Sequence, residues 1–408
     1  MLEKTKDFEN PTKVYLDHNA STPVASEVLQ SLAQIAAVSG GNPSSIHRAG
    51  REPKALLREA RQSIASALGG ISPLEIIFTS GGTESNNTVI KGIFDSFSRA
   101  QNPRNEYITS KVEHPSVLRA FEWIEKRGAQ VHYLSVNRQG EIDLVTYEKI
   151  LSEKTALVSV MLANNETGTL FPIQKMAKKA HEHGALFHSD CVQTLGKISL
   201  SMHKLELDYA SFSAHKVYAL KGAGVLYARK GVPYEPLIQG GGQERHRRGG
   251  TENVLGIWAL GLMCKQVFQV AEMYPHWQSL RDHFEARVLA EIPHVRLTGI
   301  ESPRLPNTSG MVIDDVDGEI LLMSLDLLGF AVSTGAACSS GSSEPSPALL
   351  AMGLTRVEAQ SSLRVSLGWK TTKSEIDDFV EALRLTVQRL RSLQKVEDRS
   401  IKARMANV

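Results

Sequence analysis

Two side chains in this sequence stand where a nucleophile could work. Lys216 ends the run Ser211-Phe212-Ser213-Ala214-His215-Lys216, just past an apolar strand-like stretch and ahead of the glycine-rich LKGAGVLY. A lysine amine held in a cleft and desolvated there can condense with a carbonyl group. Ser213 and His215 beside it offer hydrogen-bond donors suited to a phosphate. Cys338 lies in Ser333-Thr334-Gly335-Ala336-Ala337-Cys338-Ser339-Ser340-Gly341-Ser342-Ser343-Glu344-Pro345-Ser346. Structural cysteines sit among large apolar side chains, whereas Gly, Ala and Ser pack poorly and leave a thiol accessible. The thiolate is the reactive form of such a group. The alternative for Cys338 is an incidental cysteine on a surface loop.

Three further stretches suggest what the lysine would act on. Asp190, in LFHSDCVQTLGK, follows an apolar run, where a carboxylate can hold a pyridinium nitrogen protonated. It could equally cap a helix. Gln193 follows three residues later, within reach of a ring hydroxyl. In Phe78-Thr79-Ser80-Gly81-Gly82-Thr83-Glu84-Ser85 a strand empties into a glycine pair and a helix start. Gly82 and Thr83 there can bring free backbone N–H groups to a phosphate; the plainer reading makes Thr83 an N-cap. The basic run Glu244-Arg245-His246-Arg247-Arg248-Gly249-Gly250-Thr251 suits a phosphate contact, a subunit interface or a solvated loop. His181 and His183, two apart on a helical pattern, do not share a face, so no metal site is expected.

The elements that must carry these groups alternate between strand and helix from about residue 50 to 230. EPKALLREARQSIASALGG is amphipathic, with Leu57, Ala60, Ile64 and Ala67 on one face and Gly69 as its stop. EIIFT reads as a strand, as do QVHYL, TALVSVML, ALFHS, DYASFS and GVLYA. Pro115 opens a helix that Gly128 closes. Strands separated by such helices form a mostly parallel sheet covered on both faces, with ligands at the carboxyl ends. Beyond residue 262 a long helical segment (263–292), TSGMVI, a helix through GEILLMSLDLLG, SSLRVSL and a terminal helix read as a smaller α+β unit. The polar last residues, KVEDRSIKARMANV, are expected to fray.

Composition narrows the class. The 408 residues divide most naturally into two domains, 15–262 and 263–408 with 1–14. Lys and Arg number 46 against 44 Asp and Glu, a balance that gives no electrostatic reason to expect nucleic acid. No stretch approaches the ~18 apolar residues of a membrane span. Three cysteines at unrelated spacings make no disulfide framework and suggest a reducing, cytoplasmic setting.

Taken together, the motifs carry a resemblance. GNPSSIHRAG, SGGTESNN, EHPSVL, NNETG, HSDCVQ, SAHK, GGGQERHRRGGTENV, ACSSGSSEPS and SLRVSLG occur in the order found in the cysteine desulfurases of the NifS/IscS type, within a match from YLDHNASTP to SSLRVSLG. These are pyridoxal-phosphate enzymes of the class V aminotransferase family. The resemblance implies a fold-type-I α/β architecture with a large, mostly parallel seven-stranded sheet domain and a smaller α+β domain. It implies that Lys216 tethers pyridoxal 5'-phosphate, that His114 stacks on its ring, and that Asp190 pairs with the ring nitrogen. Asn165 and Gln193 would reach the ring hydroxyl, while Gly82, Thr83, Ser213 and His215 hold the phosphate. Thr251 would reach the cofactor of a second subunit, making a homodimer. Arg364, with Asn165 nearby, would bind the carboxylate of L-cysteine. Cys338 would take the sulfur as a persulfide and pass it to an acceptor protein for iron–sulfur cluster or other thio-cofactor synthesis, with L-alanine released and His114 moving a proton. The long stretch around Cys338 resembles the branch whose catalytic loop is extended, but SIKARMANV lacks the scaffold-docking tail usual there. A selenocysteine lyase or an aminotransferase of the same fold is the alternative; the latter would have no use for Cys338.

Overall fold

The computed structural model describes residues 12–100, 104–266, 270–335 and 344–405. Its largest sheet has seven strands: β2 (Ile76–Thr79), β3 (Glu106–Ser110), β4 (Gln130–Leu134), β5 (Thr155–Ser159), β6 (Leu186–Asp190), β7 (Tyr209–Ser213) and β8 (Gly224–Ala228). A short β1 (Val14–Tyr15) precedes them. The order is β2-β8-β7-β6-β5-β3-β4. Only β8 is reversed, pairing antiparallel with both neighbours; the remaining six strands run the same way.

Period-two alternation buries both faces of this sheet. Ile76, Phe78, Ile108, Val158, Phe187, Phe212 and Val225 pack on one side, against Leu57, Ala60 and Ile64 of the helix Arg48–Ala67 and Leu260 of the helix Val254–Cys264. Ile77, Tyr107, Leu157, Tyr209 and Leu226 pack on the other, against Ile90 and Ile93 of Gly82–Ser98 and Phe121 of Pro115–Glu125. A second, antiparallel sheet has the order β12-β10-β9, from β9 (Val295–Leu297), β10 (Thr308–Ile313) and β12 (Ser362–Ser366). Beside it β1 pairs in parallel with β11 (Phe330–Ala331). Its apolar cluster joins Leu16 to Phe284, Ile313, Leu363 and Phe379, whereas Ala348, Leu349, Met352 and Ala359 pack with the large sheet.

Several elements differ from the sequence expectation. Strand β3 escapes it because EYITS is short, half polar and flanked by NPRN. The helix Val254–Cys264 lies ahead of the expected 263–292 segment, and a separate helix, Val270–Glu291, occupies that place. VLGIWALGLMC is apolar all round, so it has no helical periodicity to detect. The terminal helix runs on to Met405 instead of fraying at 395, in keeping with the helix-favouring Lys, Glu, Arg, Ala and Met of that stretch.

The helices Arg48–Ala67 and Val254–Cys264 meet at Gly261, where an added Cβ would lie 2.4 Å from Ala60 Cα and 2.5 Å from Ala60 Cβ. Gly261→Val should therefore lower unfolding free energy by about 1–3 kcal/mol, read as a drop in urea midpoint at unchanged slope. An unchanged midpoint would mean that the two helices separate at no cost.

Candidate active site

Because six strands share a direction, the loops that leave them emerge along one edge. The turn after β2 carries Gly81 and Gly82, β6 ends on Asp190, and β7 runs through Ser213 into a tight turn, Ala214–Lys216. The loops after β3 and β5 bring His114 and Asn165 to the same place. From the second sheet, Arg364 of β12 reaches in. Together they line one cavity of about 650 Å³. Gly82, Thr83, His114, Asn165, Asp190, Gln193, Ser213, His215, Lys216 and Arg364 all border it. Thr251 is exposed and does not line this cavity. Cys338 lies outside the described residues; Gly335 and Glu344 flank that stretch.

Each polar group is held by identifiable partners. Lys216 Nζ donates to the backbone oxygens of Asn19 at 2.5 Å and Ala20 at 2.8 Å. Asp190 is buried; its Oδ2 accepts from Asn86 Nδ2 at 2.8 Å and its Oδ1 from the Val192 N–H at 3.0 Å. His114 caps the helix Pro115–Glu125 through Nδ1, which accepts the Ser116 N–H at 3.1 Å. That bond places the proton of a neutral imidazole on Nε2. Arg364 pairs with Asp17 Oδ1 at 2.7 Å and donates to Asn165 O at 3.2 Å, while its buried Nε has no partner among the described residues.

The turn after β2 has the form of an anion cradle. Gly81, at φ +155 and ψ −178, caps the helix Gly82–Ser98. The helix ladder starts with Ser85 N–H on Gly81 O, so the N–H groups of Gly82, Thr83 and Glu84 precede it and can meet a ligand. A Cβ on Gly82 would lie 2.6 Å from Val192 Cγ2, so any larger residue would have to displace that methyl. Thr83 is exposed inside the first turn and is not the N-cap.

Burial sets the protonation of the histidines. It holds His114 below its ordinary value, opposed by the Asp190 carboxylate and reinforced by the Lys216 amine. Burial, with Lys216 and Lys221 nearby, brings His215 down to about 4. Glu113, next to His114, is pushed up to about 8 by burial, although Ser110 and the Met161 N–H bond to it.

Several residues of this site escaped the reading of the sequence. Asn19, Ala20, Asn86 and Ser116 line the cavity, and Lys197 packs directly behind Gln193. Asn19 stood in YLDHNASTP without a role, and Lys197 sits four residues after Gln193, the one local signal that could have linked them.

The sequence profile of the "Aminotransferase class-V" family matches residues 14–379. A cysteine desulfurase of Cereibacter sphaeroides is 43% identical over 382 residues, covering 93% of this chain and 97% of its own. The chain belongs to the class-V aminotransferases, among the cysteine desulfurases. The cysteine desulfurase NifS of Azotobacter vinelandii is 42% identical over 381 residues, 93% of this chain and 94% of its own. A solved structure titled "NIFS-LIKE PROTEIN" superposes with a TM-score of 0.85 at 37% identity, covering 92% of this chain and 99% of that one. The fold is therefore the α/β fold of type I expected from the motifs. Among the described residues no helix is long and apolar enough to cross a membrane.

Beneath the site, His188 is fully buried between Ser159 Oγ at 2.7 Å and Ser211 Oγ at 3.0 Å, and burial lowers it to about 3. A histidine with a depressed folded pKa stabilises the fold above the unfolded value and loses that contribution as pH falls through the window from 6.5 to about 3. Glu113 acts in the opposite sense, so the variant is compared with wild type at each pH. Relative to His188→Asn, wild type should lose about 1.4 kcal/mol of stability per pH unit below 6.5, by urea titration. Parallel pH profiles would contradict a neutral, buried His188.

Proposed function

We propose that the protein is a pyridoxal-phosphate-dependent cysteine desulfurase that converts L-cysteine to L-alanine and keeps the sulfur on Cys338. The observation that carries this reading is the convergence of Lys216, Asp190, His114 and Arg364 on one cavity. The residues suit a phosphorylated pyridine: an amine, a buried carboxylate, and a helix start whose Gly82, Thr83 and Glu84 N–H groups precede the helix ladder. Lys216 would tether the cofactor, Asp190 would pair with its ring nitrogen, His114 would lie on its ring, and Asn165 and Gln193 would meet its hydroxyl. Gly82, Thr83, Ser213 and His215 would hold its phosphate. When bound, pyridoxal phosphate supplies an electron sink for bonds broken at the substrate's α and β carbons.

The chain's own groups then divide the work. Arg364, which lines the cavity with Asn165 O on Nη1 and Asp17 on Nη2, would take the substrate carboxylate on its guanidinium. Lys216 would remove the Cα proton. His114, with Nδ1 engaged by the Ser116 N–H and its proton on Nε2, would donate that Nε2 hydrogen to the thiolate; taking a proton from a thiol would require the Nδ1–Ser116 bond to open. Cys338, as thiolate, would attack the substrate sulfur. The Cβ–S bond breaks, an S–S bond forms, and the carbon gains the proton, so that one cysteine and one thiol become alanine and a persulfide with no external oxidant. An acceptor protein, serving iron–sulfur cluster or other thio-cofactor synthesis, would then remove the sulfane sulfur.

In the same reading Thr251, exposed on its own chain, would complete the site of a second copy in a homodimer. The separate apolar cluster around Phe284 and Phe379 is the ground for a second unit, 263–408 with 1–14 beside 15–262, although Leu16 joins that cluster and Ala348, Leu349, Met352 and Ala359 pack with the large sheet. A cytoplasmic location is part of the same reading.

Sulfide and alanine release from L-cysteine with a thiol reductant should be lost in both Lys216→Ala and Cys338→Ser. Cys338→Ser should still change the cofactor's visible spectrum on adding L-cysteine, whereas Lys216→Ala should not turn over at all. Full sulfide release by Cys338→Ser would overturn the persulfide route.

A further inference from the structure

Lys197 has no part in the chemistry just described, yet it is buried in the wall of the site. Its Nζ donates to Gln193 Oε1 and to Asn19 Oδ1, each at 2.7 Å. Both acceptors are neutral amides. Burying an amine without a carboxylate partner is costly, and burial holds Lys197 well below the ordinary lysine value, with Lys216 and Arg364 adding to the effect. A residue kept at such cost against two site residues has a geometric task that the sequence did not reveal.

That task follows from which atoms can donate. As an ammonium Lys197 can only donate, and as a neutral amine its two hydrogens suffice for both amide oxygens, so in either state it can satisfy the oxygen face of each amide it meets. With Oε1 turned to Lys197, Gln193 must present its Nε2 elsewhere; one hydrogen goes to Asn19 O at 2.9 Å, leaving the other available. With Oδ1 turned to Lys197, Asn19 directs its Nδ2 to Thr308 Oγ1 at 2.9 Å and Asn165 O at 3.1 Å. The Asn19 N–H is fixed on Ser366 Oγ at 2.9 Å. The segment so pinned is the one whose carbonyls receive Lys216. Reversing either amide would set its oxygen against a backbone carbonyl, Asn19 O for Gln193 and Asn165 O for Asn19, and forfeit these bonds.

We propose that Lys197 is a positioning residue of the cofactor site, orienting the amides of Gln193 and Asn19 so that Gln193 offers a donor to the cofactor's ring oxygen and Asn19 holds the backbone ledge that receives Lys216. The inference rests on the pyridoxal-phosphate reading above. It assigns no bond-making step to Lys197.

The test uses the full-length protein stripped of cofactor and titrated with pyridoxal phosphate. Wild type, Lys197→Met, Lys197→Gln, Gln193→Leu and the double variant Lys197→Met/Gln193→Leu are compared. The readouts are the dissociation constant and the pH midpoint of the bound cofactor's visible absorbance. Losing the oriented donor disfavours the anionic ring oxygen, so Lys197→Met should raise the midpoint by about one pH unit and weaken binding about tenfold. Lys197→Gln, which retains an N–H, should shift less. The double variant should move no further than Gln193→Leu with respect to the midpoint, because Lys197 acts on it through Gln193. A wild-type protein that binds no pyridoxal phosphate would sink the functional reading itself. Uptake by wild type with unmoved midpoint and affinity in the Lys197 variants would overturn only the present inference, as would additive shifts in the double variant. Failure of both Lys197 variants to fold would also overturn it, by assigning the residue to the core.

Discussion

The common direction of six strands is the constraint on which everything else here depends. A parallel sheet delivers the carbonyl ends of its strands, and the turns beyond them, to one edge. Gly82, His114, Asn165, Asp190 and Lys216 leave five different strands, and reversing any one of those strands would carry its residue to the opposite edge, away from the others. The reversed β8 pairs between β2 and β7 and supplies packing instead, with Val225 and Leu226 on opposite faces of the sheet. A sheet buried on both faces is rigid, and it holds these side chains without any one loop having to be.

Desolvation is the second organising effect, and it acts selectively. It keeps His114 neutral at the cavity, with the protonated ring nitrogen decided by the Ser116 N–H. Asp190 receives two hydrogen bonds in a buried setting, which fix the direction of its carboxylate. The N-terminal segment matters as much as the sheet. Asn19 and Ala20 arrive beside β12 of the smaller sheet and present their carbonyls to Lys216, so the amine is positioned by chain far away in sequence. Arg364 enters from the same side, paired with Asp17. The cavity is thus closed by elements of two sheets, with Arg364 supplied by one and Lys216, Asp190 and His114 by the other.

Local chemistry was legible in the sequence wherever one short motif carried it. Strand-glycine-helix at 78–85, Asp190 after ALFHS and Lys216 after DYASFS could each be read because the strand, the turn and the functional side chain lie within eight residues or so of each other. Strand β3 and the helix Val254–Cys264 were not, since a half-polar pentapeptide and an all-apolar run both lack a diagnostic period. The supports of the site were hidden for another reason. Asn19 meets Gln193 and Lys197 across 174 and 178 residues, and no local pattern encodes a hydrogen bond over that separation. The roles of Thr251 and Cys338 came from the family resemblance alone or in large part, because neither stands in a motif whose geometry specifies its task.

The central claim is that the amine of Lys216, and no other, carries the cofactor at the meeting point of these strand ends. Lys197 and Lys221 lie nearby and make the claim discriminating. Borohydride reduction of the protein with pyridoxal phosphate, followed by peptide mapping by mass spectrometry, tests it most directly. The account predicts a single phosphopyridoxyl label on Lys216, absent in Lys216→Ala. A label on Lys197 or Lys221, or stoichiometric labelling that survives Lys216→Ala, would contradict it.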